Sequence, residues 1–575
     1  MLTGIITASQ ALARTAEQFG QERGIRYFMT LDEAEFRSYA ELDRRARRIA
    51  QALDAAGYMP GSRAVIALSP GLLWADAVYG ILSAGLAFVP TANSGYDTGS
   101  AIAGRVAAIT EASAASVIVT DRTMHAALGD EVGSLGAPVV LIEDLLAVGD
   151  EDQWREPDID GDSLAYLLFT SGSTGEPKGV MGTHAGLLSA AHATNELVFT
   201  GSESILVGWL PMHHAMGLMV QVIAPATIGA QIVLTTTEQF QRRPMSWLQL
   251  ISDHRATVSL AGNFAFALCV QFATDAQVAK LDLTSIRCFV SGSEPVRPET
   301  VAAFVERFGP SGLNPNSIAP AFGTTEAMLV TTKPDAVPYR LLRVDPAELE
   351  RGRVVQTSAA GSVELISCGT PAPGTTLAIV DPDTLVALPD GRIGELWISS
   401  ASVSPGYFGR PDATAETFGF GLAGDDRSYL RSGDLGAIVD GELLITGRLK
   451  DVIILRGRNI YPQDIEAAAA QLSPALGVGA AFEMAGRSAL VGVIVEYDPQ
   501  EAEAGGEDAD ALLARVSREL VERFSLPSVA VGLVPLGAVP RTATGKVRRK
   551  PAQAMLDSGQ LTLLNSLGLD HLTHD

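Results

Sequence analysis

The chain has 575 residues, 47% of them hydrophobic and 19% charged, with a formal net charge of −24 at pH 7. That length exceeds what one core can organise, so two or more domains are expected, and the composition excludes a disordered chain. The acidic balance excludes a general nucleic-acid binder, because phosphate backbones attract basic surfaces, although a few local cations suffice to hold a nucleotide.

Cys269, Cys288 and Cys368 are scattered without a CxxC pair. They offer neither a zinc site nor a disulfide framework and fit a reducing compartment. Met1–Gly20 shows no basic region leading an apolar core, so no signal peptide is read there and a cytoplasmic location is expected.

From Phe36 onward, helix and strand patterns alternate. The stretch from Tyr39 predicts an amphipathic helix, Ala64–Leu68 a strand, Trp74–Ala84 a helix stopped at Gly85, and Phe88–Val89 the end of a short strand. Val117–Thr120, Val139–Ile142, Ile232–Leu234 and Ile286–Val290 repeat the strand signal. Strands alternating with helices predict parallel sheets covered by helices on both faces. The uncharged run Met216–Leu234 has the length of a membrane span. It holds Gln221, Pro225, Thr227 and Gln231 and ends in a β-like stretch, so it reads as a buried helix followed by a buried strand.

After Lys450 the pattern changes. A strand at Val452–Leu455, a helix at Gln463–Leu472, a strand at Ala489–Glu496 and an acidic loop from Gln500 to Asp510 are expected. A helix at Leu512–Phe524 and a basic tail strand from Arg541 to Lys550 follow. The expected fold is therefore α/β. A large N-terminal domain of parallel-rich sheets sandwiched by helices (1–447) precedes a small mobile α+β domain (448–575).

One stretch stands out chemically. The apolar run Leu164–Phe169 feeds into Thr170-Ser171-Gly172-Ser173-Thr174-Gly175-Glu176-Pro177-Lys178-Gly179. Glycines allow a tight backbone with amides pointing inward, and hydroxyls add uncharged donors, which suits phosphate oxygens. It is not a Walker A loop, because Gly179 follows Lys178 where that pattern needs Ser or Thr.

This loop resembles the phosphate loop of the adenylate-forming superfamily, which includes acyl-CoA synthetases, nonribosomal peptide adenylation domains and luciferases. Four further segments resemble its signatures in the same order. The likeness covers almost the whole chain and implies activation of a carboxylic acid with ATP and Mg²⁺. In Ala321-Phe322-Gly323-Thr324-Thr325-Glu326, Thr325 would hold the α-phosphate and Glu326 would bind Mg²⁺. In Tyr429–Leu435, Asp434 would accept from the ribose hydroxyls. Gly447–Asp451 would supply Arg448 to the ribose and Lys450 as a pivot. In Pro540–Lys546, Lys546 would bridge the carboxylate and the α-phosphate. In Pro211–Leu218, His214 matches a histidine at the mouth of the acyl pocket, with Met216 and Gly217 beside it, and His213 is expected to pack or cap.

Within the superfamily, several segments resemble the fatty acyl-AMP ligases. Gly292-Ser293-Glu294-Pro295 resembles the segment whose backbone lines the adenine, and Asn263 and Phe264 fall in an acyl-side segment. Arg456–Glu466 has that subfamily's form, and extra chain near 344–366 matches its characteristic insertion. Such a wedge would penalise one of two domain arrangements and so disfavour free coenzyme A as acceptor. The resemblance implies a medium- or long-chain fatty acid and an acyl carrier protein with its phosphopantetheine arm as partners, in lipid or polyketide biosynthesis. Nucleic acid and an integral membrane segment are not expected. Ala215 stands where the subfamily has Asp, and Gly323-Thr324-Thr325 and the phosphate loop follow the general superfamily pattern instead. A fatty acyl-CoA synthetase therefore stays open, as does a catalytically silent nucleotide-binding scaffold.

Overall fold

The computed structural model describes residues 4–92, 99–170, 177–199, 201–335, 337–455, 458–484, 490–524, 526–541 and 546–569. Among the described residues, two large sheets organise the first three hundred. The first is six-stranded, in the order Val139–Leu141, Val117–Thr120, Arg63–Ala67, Ala87–Pro90, Leu164–Thr170, Lys178–Thr183. Its pairs are parallel except the last, where Lys178–Thr183 returns antiparallel beside Leu164–Thr170. The second is nine-stranded, and its parallel centre includes Ile318–Thr324, Cys288–Ser291, Val258–Ala261, Ile205–Gly208 and Gln231–Thr235.

The helices Tyr39–Ala55 and Leu72–Ser83 pack into a core shared by both sheets. The first begins where Ser38 Oγ accepts the Glu41 N–H at 3.1 Å, satisfying a donor that the helix itself cannot. The second is apolar on nearly every face, which fits a helix covered on all sides. The two cross closely at Gly80, where a Cβ would lie 2.5 Å from Ile49 Cγ2.

One large element had no counterpart in the sequence reading. Thr376–Val380, Gly394–Ser399, Asp425–Val439, Phe420–Leu422 and Glu442–Arg448 form a five-stranded antiparallel sheet. Short turns join Phe420–Leu422 to Asp425–Val439 and that strand to Glu442–Arg448, and Asp425–Val439 is unusually long because it pairs with three neighbours.

The last part of the chain builds a four-stranded sheet from Leu476–Glu483, Leu490–Tyr497, Ser528–Pro535 and Asn565–Leu567. Helices Pro462–Ala470 and Ala509–Phe524 cover one face, and Arg549–Asp557 covers the other. Arg549 holds Glu466 through bonds of 2.6 and 2.8 Å and Asp451 through one of 2.8 Å, tying the last helix to the segment after Lys450. The large sheet-rich portion and the small α+β unit both agree with expectation.

Two local expectations fail. The acidic stretch from Gln500 opens as a helix, Pro499–Gly505, because Asp498 caps it and Pro499 suits its first turn. The described residues of the basic tail form no continuous strand: Arg541 bridges to Val547, and Lys550 already lies in the helix Arg549–Asp557. Among the described residues no helix is long and apolar enough to cross a membrane. The Met216–Leu234 run folds as consecutive short helical turns to Ile228, then the strand Gln231–Thr235. All three cysteines are buried and free.

The Gly80–Ile49 crossing yields the first prediction. Gly80→Ala should overpack it and destabilise the protein by about 1–3 kcal/mol, and adding Ile49→Ala should recover part of that loss. Urea unfolding checks this, and an unshifted Gly80→Ala midpoint contradicts the packing described.

Candidate active site

Four adjacent parallel strands of the nine-stranded sheet end side by side: Ile205–Gly208, Val258–Ala261, Cys288–Ser291 and Ile318–Thr324. In open parallel sheets, ligands bind in the crevice outside those carboxyl ends. The chain leaving these strands carries Trp209–His214, Gly262–Phe264, Gly292–Pro295 and Thr325–Glu326. Apart from Trp209 and Leu210, these segments fall in motifs singled out by sequence, so the topology gathers motifs spread from Pro211 to Glu326.

Lys546 reaches this crevice from the far end of the chain. Its ammonium is electrostatically coupled to Asp434, Glu294 and Glu326, which favour its charge, and to Arg448, which opposes it. Burial is the largest influence and pulls the Lys546 pKa below the ordinary lysine value. Asp434 and Glu294 are pushed the other way by burial, and the charge of Lys546 counters that push on both. Asp434 lies on Asp425–Val439 directly opposite Arg448, whose Nε donates to Oδ1 at 3.0 Å. Asp434 is nearly buried while the Arg448 side chain is 60% exposed, so the guanidinium keeps free edges toward solvent.

Glu326 is half-buried, and its Oε1 accepts the Tyr407 hydroxyl at 2.8 Å. The Tyr407 ring carries Lys178 over its face, with Nζ 4.8 Å from the centroid. Tyr407 thus joins the candidate metal ligand to the end of the phosphate loop. It was not among the residues singled out by sequence. Thr170 closes its strand opposite Lys178. Ser171, Gly172, Ser173, Thr174 and Gly175 lie outside the described residues, as do 542–545 of the lysine motif and Arg456–Gly457.

A narrow cavity of about 30 Å³ adjoins the crevice, lined by Trp209, Leu210, His214, Met216, Phe264 and Glu294 among others. Glu294 Oε1 accepts the Phe264 N–H at 2.6 Å, locking two of these walls together. Ser293 sits at φ +67°, and its hydroxyl lies 3.1 Å from Met216 Sδ. His214 caps the short helix Ala215–Leu218, its Nδ1 accepting the Met216 N–H at 3.3 Å. Of the two roles expected of His213, to pack or to cap, the cap here is made by His214, while burial pulls the His213 pKa below the ordinary histidine value. Burial, then Lys546, then His213 lower the His214 pKa to about 3.

Other expected residues stand further back. Asn263 Oδ1 accepts the Arg297 N–H at 3.0 Å and its Nδ2 donates to Thr300 at 3.3 Å, so its amide braces the turn. Gly217 faces the Pro211 carbonyl so closely that a Cβ would overlap it. Phe322 packs into the core behind the antiparallel sheet, Thr324 Oγ1 accepts the Ala327 N–H at 3.2 Å, and Gly323 leaves no room for a Cβ beside Met328. Gly292 is buried against Ala321, while Pro295 is exposed. Thr325 is half-buried and Lys450 is exposed in a turn. Among the described residues no group of three or more His, Cys, Asp and Glu side chains forms a metal cluster. A single carboxylate fits a hard cation that keeps waters and shares phosphate oxygens, as Mg²⁺ does.

Residues 12–408 match the family described as AMP-binding enzyme. The chain is 36% identical over 541 residues to a medium-chain-fatty-acid–[acyl-carrier-protein] ligase, JamA, of Moorena producens, covering 91% of this chain and 90% of that one. It is 35% identical to a long-chain-fatty-acid–AMP ligase, FadD26, of Mycobacterium bovis, covering 89% and 90%. Among solved structures it is similar to a fatty acyl-adenylate ligase from L. pneumophila in complex with acyl adenylate and pyrophosphate. That match has a TM-score of 0.75 and 30% identity, with 98% of both chains covered.

A pKa lowered to about 3 leaves His214 neutral at every pH above that value. Side-chain ¹⁵N signals followed from about pH 5 to 8, with His214→Gln for assignment, should show no protonation of His214. A titration inside that window contradicts the buried, cation-facing site.

Proposed function

Since the chain belongs to the AMP-binding enzyme family, we propose that it is a fatty acyl-AMP ligase that passes its acyl group to a carrier protein. A carboxylate oxygen of the acid attacks the α-phosphorus of ATP, the new O–P bond forms, and pyrophosphate leaves with the broken bond. A phosphopantetheine thiol then attacks the acyl carbon and AMP departs. The observation that carries this reading is the coupling of Lys546 to Glu294, Asp434 and Glu326 beside the cavity lined by His214 and Phe264. The first step brings two anions together, and a fixed cation at their meeting point lowers the barrier.

In this reading Lys546 neutralises the reacting oxygens, Thr325 holds the α-phosphate, and Asp434 with Arg448 binds the ribose. The loop from Thr170 to Lys178 takes the outer phosphates, and Gly292–Pro295 borders the adenine. Glu326, oriented by Tyr407, holds Mg²⁺, which when bound spreads the phosphate charge. His214, neutral, stands beside the acid rather than exchanging protons with it.

The division into 1–447 and a small unit, 448–575, turning about Lys450 belongs to the same proposal. Support comes from the segment near 344–366. It folds as a hairpin, Leu341–Val344 and Val363–Ile366, with a short helix, Pro346–Glu350, between them. Leu342, Val344 and Leu349 pack with Leu444 and Tyr461, on either side of Lys450. Glu350 receives paired bonds from Arg458 at 2.8 and 2.6 Å, and Arg458 also donates to the Phe524 carbonyl at 2.8 Å. Turning the small unit would break these contacts, so the insertion favours the arrangement that makes acyl-AMP. The reading of a fatty acyl-CoA synthetase keeps one specific observation, the general form of Gly323-Thr324-Thr325.

Two experiments test the proposal. Lys546→Ala should cut acyl-AMP formation by about a hundredfold or more while ATP affinity stays near wild type, measured by pyrophosphate exchange and nucleotide binding. Unchanged exchange removes Lys546 from the reaction. Glu350→Ala should raise the share of acyl-CoA over acyl-AMP when coenzyme A is supplied, read by mass. Wild-type enzyme that already makes acyl-CoA efficiently contradicts the carrier-protein reading.

A further inference from the structure

The wall of the acid cavity is held by a side chain that does not touch the cavity. Met219–Ile223 forms a π-helical turn between Ala215–Leu218 and Ala224–Ile228, a local widening of the kind often found at functional sites. Gln221 lies in the middle of that turn and is 1% exposed. Its Oε1 accepts the Leu210 N–H at 3.0 Å, and its Nε2 donates to the Leu210 carbonyl at 2.8 Å. One carboxamide thus grips both backbone groups of a residue that has left the sheet and has no strand partner there.

The fit around it is close. A Cβ at Gly208 would overlap Gln221 Oε1, so the glycine ending Ile205–Gly208 makes the space the carboxamide fills. Five cavity-lining residues, Trp209, Leu210, Pro211, His214 and Met216, belong to the segment centred on this grip. Trp209 is the important one. Its ring stacks on Phe240 at 3.8 Å between centroids with the planes 5° apart, and meets Trp247 edge-on at 6.0 Å. Trp209 lines the cavity and Phe240 does not, so the indole is a wall with an aromatic buttress behind it.

We propose that Gln221 is the positioning residue that fixes this wall and thereby sets the upper length of the acids accepted. The inference rests on the ligase reading above and deepens it. A cavity of about 30 Å³ is only two or three times the space that one water requires, so the position of the Trp209 wall decides how much of an acyl chain can enter. Removing the grip frees Leu210 and lets Trp209 leave its stack, which lengthens the pocket and loosens the hold on short acids.

The test is acid-dependent pyrophosphate exchange across a series of straight-chain acids, with acid binding followed in parallel by tryptophan fluorescence. Gln221→Leu should raise the KM for short and medium acids about tenfold, shift the preferred length upward, and leave the KM for ATP within about twofold. Gly208→Ala should do the same by displacing the carboxamide. The double variant Gly208→Ala/Gln221→Ala should be much less impaired than the two single losses combined, because the second change makes room for the first. A Gln221→Leu enzyme with the wild-type acid KM and length profile overturns the proposal. So does one whose KM for ATP rises as much as that for acid, which marks general damage. If the wild type binds acids but exchanges no pyrophosphate, the ligase reading falls and the length profile of binding still judges Gln221. If no acid binds, both fall.

Discussion

A lysine ammonium drawn out of water needs carboxylates around it, and the arrangement of the rest of this protein follows from supplying them. Lys546 finds Glu294 and Glu326 beyond the ends of two parallel strands and Asp434 on the antiparallel sheet. No short segment could offer these groups together, because each is fixed by a different strand. The sheets hold the anions still, and the small C-terminal unit brings the cation. Charges of both signs are thereby fixed before substrate arrives, which is the condition under which electrostatic stabilisation needs no reorganisation during the reaction.

The same logic explains the acidic chain. A net charge of −24 does not prevent nucleotide binding when the cations that matter are placed individually. Lys178 over Tyr407, Arg448 against Asp434 and Lys546 in the crevice are each held by a specific neighbour. Beside them the cavity lined by Trp209 and Phe264 is shaped by aromatic rings, and its neutral His214 spends one ring nitrogen on a helix cap.

Much of this was legible in the sequence, for physical reasons. Parallel strands buried on both faces read as apolar runs, so Val117–Thr120 and the helix from Tyr39 were found where the pattern put them. Motifs such as Phe322–Glu326 and Asp434 stood out by residue type as well as spacing, and the structure brings Glu326 and Asp434 within the electrostatic reach of Lys546. The antiparallel sheet from Thr376 to Arg448 was not, since half-exposed strands alternate weakly and the turn residues between them look like loop. Tyr407 and Gln221 escaped for another reason. Their importance lies in partners far away in sequence, Glu326 for one and the Leu210 backbone for the other. Asn263 shows the converse: its motif placed it on the acyl side, and its amide turned out to brace Arg297. The extra chain near 344–366 was noticed through its resemblance to a subfamily insertion, and its packing on Leu444 and Tyr461 was visible only in the structure.

The most direct test of the central claim is exchange of labelled pyrophosphate into ATP by the wild-type protein, scanned over carboxylic acids of increasing length. The account predicts exchange that depends strictly on the acid, varies with its chain length, and yields acyl-AMP that a phosphopantetheinylated carrier protein consumes. Absence of exchange with every acid, although ATP binds, would contradict it.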